Sequence, residues 1–167
     1  MIPLPAALGG AGLFGWRLDK NMHASTWDSG LGAERNGGRW NSRGTRVVYA
    51  SLDPSTAVLE VAVHVTFRTL DKVAHKLTSF EVTDPSLVHV VRREDVPNPR
   101  WLLPGIPSAG QREFGDHLIS THAVIVIPSA VSRHSWNLIF NPELAAGKFA
   151  WRLQEQFVLD ARLHPAA

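Results

Sequence analysis

The sequence predicts a single α+β domain, and three observations carry that prediction. Short runs rich in Val, Ile and Leu at residues 46–50, 77–82, 87–91 and 123–127 have strand composition. Two segments, opening at Asp53-Pro54 and at Ser108, carry helix-start chemistry followed by apolar residues at helical spacing. The length of 167 residues suits one domain, able to bury roughly two-thirds of its unfolded surface without disulfides or a structural metal. With 44% apolar and 19% charged residues the chain has globular proportions, which excludes disorder throughout. No linker, repeat or low-complexity block divides it, so one compact unit is expected over 1–167, with 1–14 as a loose lead.

The elements follow in order. Trp16-Arg17-Leu18 reads as a first strand. Residues 21–46 are rich in Gly, Asn, Ser and Arg without a period, and read as a long loop of the kind that carries function. Residues 46–50 form a strand. Asp53 then caps a helix whose first residue is Pro54 and whose apolar stripe is Ala57, Val58, Val61, Ala62 and Val65. Residues 77–82 and 87–91 are strands on either side of the Asp84-Pro85 turn, and 97–107 is a loop punctuated by Pro. Ser108 and Gln111 have capping-box spacing, which starts a helix over 108–121. A fully apolar strand at 123–127 stops at Pro128, and 138–140 is a further strand or a tight turn. Phe149, Trp151, Leu153 and Phe157 alternate, so 148–159 reads as a last strand with one buried face.

Composition excludes several function classes. Seventeen basic against fifteen acidic residues leave +2, too weak a field to argue for nucleic acid. The basic set is four Lys and thirteen Arg, a balance that favours forked recognition of phosphate or carboxylate. The absence of Cys excludes disulfide frameworks, thiol nucleophiles and Cys-based metal sites, and fits a reducing, cytoplasmic setting. The apolar opening at 1–15 lacks a positive start and is broken by Pro and Gly, so it makes a poor signal peptide. No later run reaches the ~20 residues of a membrane span. Gly30-x-Gly32-x-x-Arg35 lacks the third glycine of a dinucleotide fingerprint and follows no strand. There is no phosphate-binding Gly-rich loop ending in Lys, no nucleophile elbow and no metal-binding His spacing; no metal is expected.

Two clusters remain that are able to carry chemistry. The first is Arg35-Asn36-Gly37-Gly38-Arg39-Trp40-Asn41, followed by Tyr49 and Glu60. The paired glycines allow a sharp turn or a close backbone approach, and Arg35 and Arg39 offer bidentate donors to phosphate oxygens. Trp40 and Tyr49, the only Tyr, present aromatic faces; taken singly, each reads first as an ordinary core residue. Glu60 sits among Val58, Leu59, Val61, Ala62 and Val63 with no Lys or Arg within four residues. Either it faces solvent beside Thr56 and His64, or it serves a site that stabilises positive charge on a ribose or grips its hydroxyls. The second cluster runs from Pro128-Ser129-Ala130 to Phe140-Asn141-Pro142, where Ser129 reads first as a turn or capping residue and Asn141 first as a turn residue, with a ligand-facing role as the alternative.

Together these segments resemble the RES-domain family, the toxin halves of bacterial toxin–antitoxin pairs whose antitoxin is an Xre-type protein. Gly37-Gly38-Arg39-Trp40-Asn41 is similar to the family's hallmark, Ala57-Val58-Leu59-Glu60-Val61 to its Glu-bearing helix, and Pro128-Ser129-Ala130 to its Ser segment. The resemblance implies an ADP-ribosyltransferase-like mixed β core with a few flanking helices, and depletion of NAD⁺ by cleavage of the nicotinamide–ribose bond. It implies Arg39, Glu60 and Ser129 as catalytic, with Arg35, Trp40, Tyr49 and Asn141 as substrate-binding. NAD⁺ is then a substrate, no cofactor is needed, and an antitoxin occludes the site; the chain itself binds neither DNA nor membrane. A mono-ADP-ribosyltransferase acting on a host protein is the nearest alternative, and a non-catalytic nucleotide- or partner-binding module is a further one. Val58 stands two positions before Glu60, where many transferases carry a second acid, which favours a small acceptor. Relatives often follow Arg-Trp-Asn with Pro; here Ser42-Arg43-Gly44 follows.

Overall fold

The structure, a computed structural model, describes residues 12–163. The expected loose lead therefore lies outside the described residues at 1–11, whereas Leu13 and Phe14 belong to the first strand. Seven strands form one mixed sheet: β1 (Leu13–Lys20), β2 (Val48–Ser51), β3 (His75–Val82), β4 (Val88–Val90), β5 (Val124–Pro128), β6 (Trp136–Phe140) and β7 (Phe149–Phe157). Their spatial order is β4-β5-β6-β2-β1-β3-β7. All pairings are antiparallel except β4 with β5. The helices are α1 (Leu31–Asn36), α2 (Pro54–Val65), α3 (Phe67–Lys72) and α4 (Ala109–Thr121).

The sheet is hinged in its middle. β1 follows β3 through eight residue pairs, but meets β2 only at Trp16 opposite Ser51. Phe80 on β3 and Phe140 on β6 stand three strands apart, which in a flat sheet would be about 14 Å. Their ring centroids lie 5.5 Å from each other. The sheet must therefore fold over on itself at the β2–β1 join, with Phe80, Phe140, Phe149 and Trp27 packed in edge-on and tilted contacts inside the fold. Gly15 sits where a Cβ would lie 2.3 Å from the Phe80 ring, so only glycine admits that ring against β1.

The opposite face of the sheet carries the helices in two groups. Over β5 and β6, Ile125, Ile127 and Ile139 pack with Leu118 and Ile119 of α4 and with Trp40 and Val47. Over β1 and β3, Leu18 and Leu77 pack with Val58, Val61, Ala62 and Val65 of α2 and with Leu70 of α3. The apolar stripe expected of α2 is thus its buried face, and Asp53 caps it by accepting a hydrogen bond from the Thr56 N–H at 2.8 Å. Between the two apolar groups lies the seam where the sheet hinges.

Several expectations need correction. Residues 21–46 are not one loop: Asn21–Thr26 is a 3₁₀ helix and α1 follows, too short for its period to show. α3 was not foreseen, and 97–107 contains a 3₁₀ turn at Pro99–Leu102. The Gln111 N–H donates to the Ser108 hydroxyl oxygen, but the Gln111 side chain donates to the Trp101 carbonyl rather than closing a capping box. The alternation in β7 fails at a bulge: Trp151 opposes Phe80 while Leu153 opposes Ser79, so the two side chains leave opposite faces of the sheet. Both are substantially exposed, so that strand has no continuous buried face.

Helix α4 meets the 37–41 loop through a contact that allows no substitution. A Cβ on Gly115 would lie 1.9 Å from the Trp40 carbonyl oxygen, with backbone rather than side-chain atoms in the way. Gly115→Ala is expected to cost about 3 kcal/mol, the upper end for overpacking. Thermal melting should fall by about 6–12 °C for a domain of this size; an unchanged midpoint would show that the helix is free to move away.

Candidate active site along the hinge

The loop at residues 37–41 is built by its two glycines for different reasons. Gly37 ends α1 with φ +71°, its N–H donating to the Ala33 carbonyl. Gly38 lies so close to β2 that a Cβ would come within 2.7 Å of the Tyr49 hydroxyl and 2.6 Å of Asn41 Oδ1. Helix α4 braces this loop: the Arg112 Nε donates to the Gly38 carbonyl at 3.3 Å, and Asp116 Oδ1 accepts from the Ser42 N–H at 2.9 Å. Asn41, fully buried, donates through Nδ2 to the carbonyls of Ala33, Ser42 and Thr45 and so fixes the loop from within.

Tyr49 ties the loop to the sheet. Its hydroxyl donates to Asn41 Oδ1 at 2.8 Å and accepts from the Trp40 N–H at 2.9 Å. Burial pushes the phenol well above its ordinary value of 10.0, against the Trp40 N–H, which pulls it down. The charges of Asp116, Arg39 and Glu60 all act on the ring, so the first arginine cluster and the helical glutamate share its neighbourhood. The raised folded-state value gives a sign: stability is fully present below the unfolded value near 10 and is lost as pH rises through the folded one. Because Tyr49 is the only tyrosine, its near-ultraviolet phenolate band reports it alone. Native protein should show no phenolate at about pH 10, while denatured protein should be half ionised there. Matching native and denatured titrations would mean the hydroxyl is solvated.

Glu60 faces the sheet from α2, half-buried, instead of turning to solvent with His64. Its Oε1 accepts two hydrogen bonds, from Ser129 Oγ at 2.8 Å and from Asn137 Nδ2 at 2.6 Å. Asn137 is held in turn by Ser51 Oγ, which donates to Asn137 Oδ1 at 2.9 Å. Ser51 and Asn137 are Cα partners on β2 and β6, and Tyr49 and Ile139 are the next pair on the same face. Tyr49, Ser51 and Asn137 therefore make a polar strip on the floor between the two apolar groups, with Glu60 above it. Oε2 of Glu60 has no hydrogen-bond partner among the described residues and is open to solvent.

The expected site residues divide. Glu60 and Ser129 touch directly, and Tyr49 lies in range of Glu60 and Arg39. Arg39, half-buried, donates to the carbonyls of Trp101, Leu103 and Gly105 at 3.1–3.3 Å, tying the 101–105 segment beside the loop. Trp40 is 1% exposed and packs edge-on to Phe114, so it supports the loop from the core and offers no face to a ligand. Its indole N–H is buried without a partner among the described residues. Arg35 is exposed on α1 and forms no hydrogen bond or ion pair among the described residues. Asn141 is a turn residue beyond the far end of β6, about 13 Å along the strand from Asn137. It accepts from the Glu143 and Leu144 N–H groups and donates to the Ile119 carbonyl. It lines a separate polar cavity of about 520 Å³ with Glu34, Arg46, Asp116 and Glu143, which Glu60, Tyr49 and Ser129 do not line. Sequence reading missed Asn137 and Ser51. The available signal was a polar side chain at the one inward position of 136–140 not filled by an apolar residue.

The RES-domain family model matches residues 15–160. The chain belongs to the RES-domain family. Among its relatives, Toxin Res of Photorhabdus laumondii is 32% identical over 129 residues, covering 76% of this chain and 80% of that one. Toxin Res of Pseudomonas putida is 31% identical over 140 residues, covering 81% and 91%. The Prs ADP-ribosylating toxin of a Sphingobium species is 31% identical, covering 76% and 81%. In fold, this RES domain is similar to the structure of the M. tuberculosis MbcT–MbcA toxin–antitoxin complex, with a TM-score of 0.71 at 19% identity over 88% of this chain and 85% of that one. Its mixed seven-stranded sheet with flanking helices is the α+β architecture expected from the sequence.

Proposed function

We propose that this RES-domain chain is a cytoplasmic toxin that consumes NAD⁺ by breaking the bond between nicotinamide and ribose. The observation that carries the reading is Glu60: a carboxylate with one oxygen anchored and the other open, acting on an un-ionised phenol that also feels the charge of Arg39. In the reaction the C–N electron pair leaves with the ring nitrogen, giving neutral nicotinamide and an oxocarbenium-like ribosyl cation. The leaving group needs no proton, so the protein's work is to bind the dinucleotide and stabilise the cation. Glu60 supplies the negative charge, and Arg39 the forked donor for the diphosphate. Tyr49, held un-ionised, offers a flat ring to nicotinamide or its ribose without adding charge. Water or inorganic phosphate then attacks the cation and loses a proton to solvent.

Val58, packed against Leu18 and Leu77, leaves no second carboxylate at the position many transferases use to activate a protein acceptor. The name of the Sphingobium relative favours the other reading, transfer of ADP-ribose to a protein. Mass spectrometry of cell extract treated with the protein and NAD⁺ separates them. Free ADP-ribose or its phosphate ester is expected, whereas a discrete protein carrying ADP-ribose would establish transfer, and unaltered NAD⁺ would overturn both. The toxin–antitoxin complex of similar fold supports a partner antitoxin. Its assignment as an Xre-type protein that covers the Glu60 side of the hinge belongs to the same proposal.

A further inference from the structure

We infer that Asn137, held by Ser51, is a positioning residue that sets which oxygen of Glu60 meets the substrate, and that Ser129 acts only through Glu60; this rests on the NAD⁺-cleaving reading above. The bonding capacities leave little choice. Ser129 Oγ has one hydrogen, given to Glu60 Oε1, and two lone pairs, taken by the N–H groups of Val131 and Ser132. With 0% exposure it has neither a free valence nor a surface for a ligand. The second donor to the same oxygen comes from Asn137, 77 residues away in sequence. An amide can turn end for end, and in the turned state its oxygen would face a carboxylate. The carboxylate, which accepts and does not donate, disfavours the turned state, and Ser51, 1% exposed, favours the other by donating to Asn137 Oδ1. Two donors on Oε1 leave Oε2 as the oxygen aimed at developing charge, so a ribosyl cation meets a fixed rather than a rotating carboxylate.

The test is Asn137→Asp, which keeps the shape and the acceptor for Ser51 but loses the donor to Glu60. At about pH 8 two adjacent carboxylates repel, and kcat for nicotinamide release should fall roughly 10- to 100-fold with KM for NAD⁺ changed less than about threefold. As pH is lowered toward about 5.5 the pair shares one proton, which restores both the donor and the charge of the original Asn–Glu pair. The ratio of variant to parent kcat should therefore rise in acid. Ser51→Ala should lose less, about 3- to 10-fold. A parent-like kcat in Asn137→Asp, or a loss that ignores pH, overturns the assignment. A second measurement needs no substrate: a double-mutant cycle of Asn137→Ala with Glu60→Ala, each of which removes the hydrogen bond, read by denaturant unfolding, should give coupling of about fivefold or more in the unfolding constant. Additive effects would overturn the positioning role. Parent protein inert toward NAD⁺ with coupling intact would instead overturn the function proposed above and leave the Asn137–Glu60 pairing standing.

Discussion

Glu60→Gln is expected to lower kcat for NAD⁺ cleavage about 10²- to 10³-fold while leaving the fold intact, the range seen when a transition-state electrostatic partner is removed. The substitution is nearly isosteric, and the amide oxygen of Gln can still accept from Ser129 and Asn137. What disappears is the charge. Opposite unit charges about 4 Å apart attract by about 4 kcal/mol at an effective dielectric constant near 20, which corresponds to about a thousandfold in rate. The ground-state pyridinium carries its charge on the ring, and cleavage moves it toward the ribose, so the carboxylate is worth more in the transition state than on binding. KM should accordingly change little, and the melting temperature should stay within about 3 °C of the parent. Steady-state nicotinamide release with a parallel melt checks both halves. Full activity in the variant would remove Glu60 from the chemistry.

Arg39→Ala is expected to act on binding instead, raising KM for NAD⁺ about 10- to 100-fold, the worth of a hydrogen bond to a charged group. The three carbonyls that Arg39 meets solvate its guanidinium without cancelling its charge, and among the described residues it forms no ion pair. A diphosphate is the complement such a cation lacks. Arg39→Lys keeps the charge but cannot fork, so it should recover only part of the loss. The carbonyls released by either change belong to an exposed segment and can turn to water, which keeps the stability cost near 1 kcal/mol or less. A parent-like KM in Arg39→Ala, by the same assay, would mean the guanidinium serves only to hold the 101–105 segment.

What could be read from the sequence was whatever depends on nearby residues. The capped start of α2 at Asp53-Pro54, the start of α4 at Ser108 and the apolar run of β5 are each specified within a few positions, and all three stand in the structure. The hinge could not be read, because it depends on a single bridge between β1 and β2 and on aromatic rings brought together from four separate segments. The site divides along the same line. Glu60 looked unpaired because its neighbours on the helix offer nothing; its partners come from 69 and 77 residues further on. Trp40 and Asn141 belong to recognisable segments, but those segments serve packing and a turn, which residue type alone does not separate from ligand contact.

Crystals of the Glu60→Gln protein grown with NAD⁺ provide the sharpest examination. The dinucleotide should lie along the hinge, its nicotinamide ribose between Tyr49 and residue 60 and its diphosphate against Arg39. Density for it in the polar cavity beside Asn141, with the hinge left to solvent, would contradict the assignment of the reaction to Glu60.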